Sequence, residues 1–184
     1  MKVTETDVPG VKVFEPNVHE DGRGFFFELW NGARYSEAGL ADAFVQDNVS
    51  RSVRGTLRGL HFQYPTQQGK LVTVLSGSIF DVAVDVRRGS PHFGQWVGVD
   101  ISDRDRKQLW VPRGFAHGFL VTSDSADVLY KVDDAYCPAE EFAIAWDDPA
   151  LGIDWPAPVL HLSDRDRVAP RLADATDLPV FDGN

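Results

Sequence analysis

Five stretches of the sequence carry side chains able to move protons or hold charge. Leu57-Arg58-Gly59-Leu60-His61-Phe62-Gln63 puts an arginine and a histidine in one strand-like run, with Gln68-Gly69-Lys70 close behind. With successive residues on opposite faces, Arg58 and Leu60 share one side, and His61 and Gln63 the other. An imidazole titrates near neutrality, about pH 6.5 in reference peptides, so His61 is a candidate general base. The alternative is a hydrogen-bonded core histidine. Pro112-Arg113-Gly114-Phe115-Ala116-His117 turns on its Pro and Gly and leads His117 into the next strand. Tyr130, in Val128–Val132, and Tyr136 carry hydroxyls that donate when neutral; a strand tyrosine otherwise serves packing. Leu162-Ser163-Asp164-Arg165-Asp166 reads as a helix start with Ser163 as N-cap. The helix dipole accounts for Asp164 and leaves Asp166 undetermined. Arg23 with Glu28, and Gln46-Asp47-Asn48, complete the set; individually they read as solvated turn and edge residues.

The elements that must position these groups are short. Strand-like runs cover residues 25–29, 44–49, 57–62, 70–75, 79–86, 95–101, 108–111, 119–122, 128–132 and 142–146, with turn signals between them. In 79–86, Phe80, Val82, Val84 and Val86 share one face and Asp81, Ala83 and Asp85 the other, the alternation of a half-buried strand. Helix signals are few: residues 34–43 and the segment after Ser163. Many short strands at this spacing point to an all-β sandwich or barrel with a few short peripheral helices. No linker divides the chain, so residues 1–184 read as one domain with a tail from about 173.

With 43% hydrophobic and 25% charged residues, the 184-residue chain is ordinary globular material and not a disordered one. The single cysteine, Cys137, excludes an internal disulfide framework and a multi-cysteine zinc site. No apolar run is long enough to span a membrane, and Met1 to Gly10 shows no signal-peptide core, so a cytoplasmic setting is expected. A net charge of −10 argues against nucleic acid as partner. It leaves room for a small phosphorylated ligand met by a few local cations.

Pro112-Arg113-Gly114-Phe115-Ala116-His117 also fits the P-x-G-x-x-H half-motif of cupin barrels, whose histidine often ligates a metal. The remaining ligands do not follow. The partner stretch has one histidine and a glutamine, His61-Phe62-Gln63, so a three- or four-ligand site is hard to assemble. No metal is expected, which leaves both histidines for acid–base or hydrogen-bonding work.

Together the segments DGRGFFFE (21–28), FVQDN (44–48), LRGLHFQ (57–63), QGKLV (68–72), QLWVPRGFAHGF (108–119), LYK (129–131), DPALGIDWP (148–156) and LSDRD (162–166) resemble the dTDP-4-dehydrorhamnose 3,5-epimerase family. So do FDVAVDVR (80–87) and SPHFGQWVGV (90–99). The resemblance implies a cupin-type jelly roll, a homodimer, and no metal or other cofactor. It implies inversion at C3 and C5 of a dTDP-linked 4-keto-6-deoxyhexose, a step of rhamnose synthesis. Residue by residue, His61 then looks like the base and Asp166 its partner. Tyr130 looks like the acid on the opposite face, and Lys70, with His117, like the cation at the enolate oxygen. Arg58 falls near the sugar or phosphate. Arg23, Glu28, Gln46, Asp47 and Asn48 resemble the nucleotide-binding set, partly supplied across the dimer. Tyr136 matches the aromatic that stacks on thymine, and Glu141 and Arg165 match further binding positions.

The chain departs from the family pattern in two places. The His61–Lys70 loop is one residue shorter than in some members, and Val132-Asp133-Asp134-Ala135 is more acidic than expected before the stacking tyrosine. Two rival functions use the same scaffold. An enzyme inverting only C3 or C5 of a related ketosugar keeps the same proton-transfer groups. A non-catalytic nucleotide-sugar-binding cupin lacks one of them, and here all are present.

Overall fold

The computed structural model describes residues 1–40 and 43–183. Thirteen strands are present among them: β1 (Lys2–Glu5), β2 (Lys12–Glu15), β3 (Val18–Asp21), β4 (Gly24–Phe27), β5 (Gln46–Val53), β6 (Leu57–Gln63) and β7 (Lys70–Ser76), followed by β8 (Ser78–Asp85), β9 (Trp96–Ser102), β10 (Gln108–Val111), β11 (Phe115–Val121), β12 (Ser125–Val132) and β13 (Glu141–Ala143). Two short helices, α1 (Gly32–Glu37) and α2 (Asp164–Arg167), lie at the periphery. The helix expected over 34–43 therefore starts earlier and stops at Glu37; the part of that expectation falling on Ala41 and Asp42 lies outside the described residues. Gly39, at φ +88°, follows its last turn, a conformation that ends helices.

Two antiparallel sheets form the jelly roll. One runs β1-β2-β10-β7-β12-β5 and the other β13-β6-β11-β8-β9, with β3-β4 as a separate hairpin. Their inner faces meet in a core of Val72, Val74, Ile79, Ala83, Leu109, Phe115, Phe119 and Val128. The strand expected at 119–122 begins at Phe115 instead, because Gly114, at φ +82°, turns the chain sharply enough for pairing to resume at once.

The expectation of a half-buried β8 is corrected: both its faces are buried. Val82 and Val84 pack outward under Leu151, Leu172 and Leu178 of the C-terminal segment. Ile79 and Ala83 point into the sandwich. Asp81 and Asp85, on the face read as polar and open, are completely enclosed. The alternation was real, but the polar face is the inside of the barrel.

Candidate active site

A cavity of about 440 Å³ opens between the sheets, with Phe119 of the apolar core in its wall. Inward-facing positions of five strands line it: Gln46, Asn48 and Ser50 from β5, Arg58, His61 and Gln63 from β6, Lys70 from β7, His117 and Phe119 from β11, and Tyr130 from β12. Tyr136, Glu141 and Arg165 close its rim.

The presence of both Arg58 and His61 there overturns simple alternation. His117 pairs with His61, and Phe119 with Arg58, so three steps along β6 match two along β11. The extra residue makes a bulge that turns Arg58 to the His61 side, while Leu60 joins the outer core. Glycine permits it. Gly59 sits at φ +129°, and a Cβ there would lie 2.5 Å from the Cα of Gly118. Arg58 donates from Nε to Ser52 Oγ at 2.9 Å, which holds it along the cavity wall.

His61 Nε2 lies 2.6 Å from Asp166 Oδ1. The Asp166 carboxylate is nearly inaccessible, at 3% exposure, and also accepts the Gly59 N–H. Burial opposes its ionisation, yet the hydrogen bond and charge of His61, with Ser163 and the Gly59 amide, hold its carboxyl below the usual range. An ionised Asp166 accepts the Nε2 proton, which leaves Nδ1 of His61 with its lone pair free to act as a base. The expected Ser163 cap is in place: its Oγ accepts the Asp166 N–H at 3.0 Å and starts α2, the turn that aims Asp166 at β6.

A second histidine–carboxylate pair lies beside the first. His117 Nε2 is 2.6 Å from Asp81 Oδ1, and both groups are buried. Among the described residues Asp81 Oδ2 has no hydrogen-bond partner. The Tyr130 hydroxyl is 3.1 Å from Ser50 Oγ, and its ring meets His117 edge-on with centroids 6.1 Å apart. Burial raises the Tyr130 phenol far above its ordinary value, and the charge of Asp81 adds to this. The hydroxyl is therefore a neutral donor. Lys70 Nζ donates to the His61 carbonyl at 3.2 Å. Desolvation pulls its ammonium down to about 8, opposed by the negative charges of Glu141, Asp133 and Asp81.

At the rim Tyr136 donates from its hydroxyl to Glu141 at 2.7 Å, and Arg165 pairs with the same carboxylate. Burial resists ionisation of Glu141, but these hydrogen bonds and the Arg165 charge hold it below the carboxylate range. The Tyr136 amide donates to Gln46 Oε1 at 3.2 Å, which ties the rim to β5.

Three residues expected in the site lie elsewhere in this chain. Asp47 alternates to the other face of β5 and pairs with Lys131 at 2.8 Å. Arg23 pairs with Asp21 at the tip of the β3–β4 hairpin. Glu28 binds Arg34 and Asn31. Conversely, Asp81 and Ser50 went unread in the sequence. Asp81 lay on a strand face taken as open, and Ser50 gave no signal apart from its even spacing from Gln46 and Asn48. Among the described residues, no group of three or more His, Cys, Asp or Glu side chains is placed to hold a metal ion.

Known proteins share this architecture closely. The family model described as dTDP-4-dehydrorhamnose 3,5-epimerase matches residues 5–174. A dTDP-4-dehydrorhamnose 3,5-epimerase of Pseudomonas aeruginosa is 53% identical over 183 residues, covering 97% of this chain and 100% of its own. A solved dTDP-6-deoxy-D-glucose-3,5-epimerase from Legionella pneumophila Philadelphia 1, in complex with dTDP-4-keto-L-rhamnose, superposes with a TM-score of 0.96 at 49% identity, covering 98% of each chain. A 3'-monoepimerase from Streptomyces bikiniensis, in complex with dTDP-quinovose, gives a TM-score of 0.90 at 36% identity over 96% of this chain and 92% of its own. Matched by the family model over residues 5–174 and 53% identical to a relative along nearly its full length, the chain belongs to the dTDP-4-dehydrorhamnose 3,5-epimerase family.

Proposed function

We propose that this chain inverts C3 and C5 of dTDP-4-dehydro-6-deoxy-D-glucose to give dTDP-4-dehydro-L-rhamnose. One observation carries the reading: a His–Asp pair, a neutral tyrosine hydroxyl and a desolvated lysine converge on one cavity. The C3–H and C5–H bonds both flank the C4 ketone, so loss of either proton gives an enolate. His61 Nδ1 takes the proton, and the Asp166 carboxylate stabilises the imidazolium. Lys70 and His117 face the charge that develops on the ketone oxygen. Tyr130 hands its hydroxyl proton to the opposite face of the carbon; the phenolate then regains a proton from solvent as His61 releases its own.

Arg58, Gln46, Asn48, Tyr136, Glu141 and Arg165 fit the nucleotide diphosphate end. Arg23, Glu28 and Asp47 serve it from a second copy of the chain in a homodimer. Exposed Val49 and Val53 on the edge strand β5, and Phe25 and Phe26 at 58% and 72% exposure on the hairpin, support that assembly. The reaction requires no metal or cofactor, so dialysis against EDTA leaves activity intact. No helix among the described residues is long and apolar enough to cross a membrane.

The test is incubation with dTDP-4-keto-6-deoxyglucose in deuterated water, followed by proton NMR. Deuterium at both carbons with the L-configured product is expected. Label and inversion at one carbon alone would make this a single-carbon epimerase, the reading favoured by the likeness to the 3'-monoepimerase. No exchange at either carbon overturns both.

A further inference from the structure

The acidic stretch after β12, a departure from the family pattern, meets the lysine of the site. Asp133 is fully enclosed at its side chain. Its Oδ1 accepts the Gly69 N–H at 2.7 Å, one residue before Lys70. Its own amide donates to the Gly69 carbonyl at 3.2 Å, so the two residues clasp each other. Its Oδ2 accepts from Arg113 Nε at 3.0 Å, and Arg113 also bonds the Asp133 carbonyl. Gly69 has no room to yield: a Cβ there would meet Trp110 at 2.3 Å and Asp133 Oδ2 at 2.7 Å. The backbone that launches Lys70 into the cavity is thus pinned on one side by an indole and on the other by a buried carboxylate.

We propose that Asp133 is a positioning residue for Lys70: its buried carboxylate fixes the Gly69 backbone from which the lysine enters the cavity and sets a negative charge behind it. The charged and titratable groups around Lys70 come from every wall. Asp81 lies on β8, Glu141 on β13, His61 and Arg58 on β6, His117 on β11, Tyr130 on β12 and Arg165 on α2. Desolvation is the main force against the ammonium, and Asp133 is among the three carboxylates that oppose it. Arg113 neutralises part of the Asp133 charge, but through the oxygen that does not bind Gly69. The role given to Lys70 in turnover rests on the proposed epimerase reading; its titration does not.

The experiment separates the two. The chain has five lysines, so protein labelled with 13C at the lysine ε-carbon gives few signals, and Lys70→Arg identifies the one from Lys70. Asp133→Asn keeps an oxygen for the Gly69 amide and removes the charge. The Lys70 midpoint, near 8 in the parent, is expected to fall by about one pH unit in this variant. The matching expectation for turnover is a kcat/KM about fivefold lower at pH 8 and reduced by less than about twofold at pH 7. Asp133→Ala, which also frees Gly69, is expected to lower kcat at every pH. An unmoved Lys70 midpoint in folded Asp133→Asn overturns the proposal, as does an equal loss of activity at all pH values with a lowered Tm, the mark of a merely structural role. If the parent shows no epimerisation, the NMR midpoint alone decides for or against Asp133, and the epimerase reading fails separately.

Discussion

At the scale of single residues, the proposed epimerisation divides one proton transfer between two unlike groups. His61→Ala removes the proposed base for both carbons and is expected to abolish solvent deuterium uptake along with product, a loss of about 10²–10⁴-fold or more. Tyr130→Phe removes only the hydroxyl. Deuterium exchange should persist with little inverted product, most clearly at C5; near-normal formation of the doubly inverted sugar would remove Tyr130 from the acid role. Lys70 supplies a third test. Its folded value of about 8 lies below the ordinary 10.5, so the cation is lost as pH rises through 8, and kcat/KM should fall on that limb. The stability sign is the opposite. Below pH 8 the fold carries the cost of a desolvated charge, and that cost fades between pH 8 and 10.5, where the unfolded chain holds more protons. Lys70→Met should therefore raise Tm at pH 7, by about 1–2 kcal/mol of stability, while lowering kcat by at least about 10²-fold. The gathering of His61, Lys70 and Tyr130 at one cavity, with Asp166 paired to His61, was legible through the family resemblance, whose motifs are long and ordered. Asp81 was hidden because an aspartate alternating with valines looks the same whether its face meets water or a closed barrel.

At the scale of elements, the decisive feature is the bulge in β6. Strand periodicity read from the sequence located β6 and its neighbours to within a few residues. It could not show that Arg58 and His61 share a face, since an inserted residue leaves no trace in an apolar–polar pattern. β1 and β2 were missed for a related reason: four-residue strands with charged ends have too few positions to establish a period. Gly59→Ala is expected to cost about 2 kcal/mol or more in denaturant unfolding, because its Cβ would strike Gly118. It should also lower activity by reopening the pairing that places Arg58. A variant of unchanged stability would mean that the two strands part freely there. Ser163→Ala removes the α2 cap, costing about 1 kcal/mol, and should reduce kcat through a looser Asp166.

At the scale of the whole molecule, a chain of net charge −10 leaves Val49 and Val53 exposed on the β5 edge and Phe25 and Phe26 exposed on the β3–β4 hairpin. Sedimentation at micromolar concentration should give a homodimer. Val53→Lys, exposed on β5 and away from the cavity, should shift it toward monomer and raise KM if a second copy contributes to nucleotide binding as proposed. A fully active monomer would contradict this. The outer face of the five-stranded sheet is a different matter, because the chain covers it with its own later residues. Leu151, Leu172 and Leu178 sit over Val82, Val84 and Val86. Arg87 lies between the rings of Phe115 and Phe181, 4.7 and 4.9 Å from their centroids. Every strand of both sheets leaves the ribosome before residues 172–181 do. The barrel can pair its strands during synthesis, but it stays sticky on one side until that last segment emerges, and a message truncated there would yield a nearly complete sandwich with a bare greasy flank for chaperones and proteases to find.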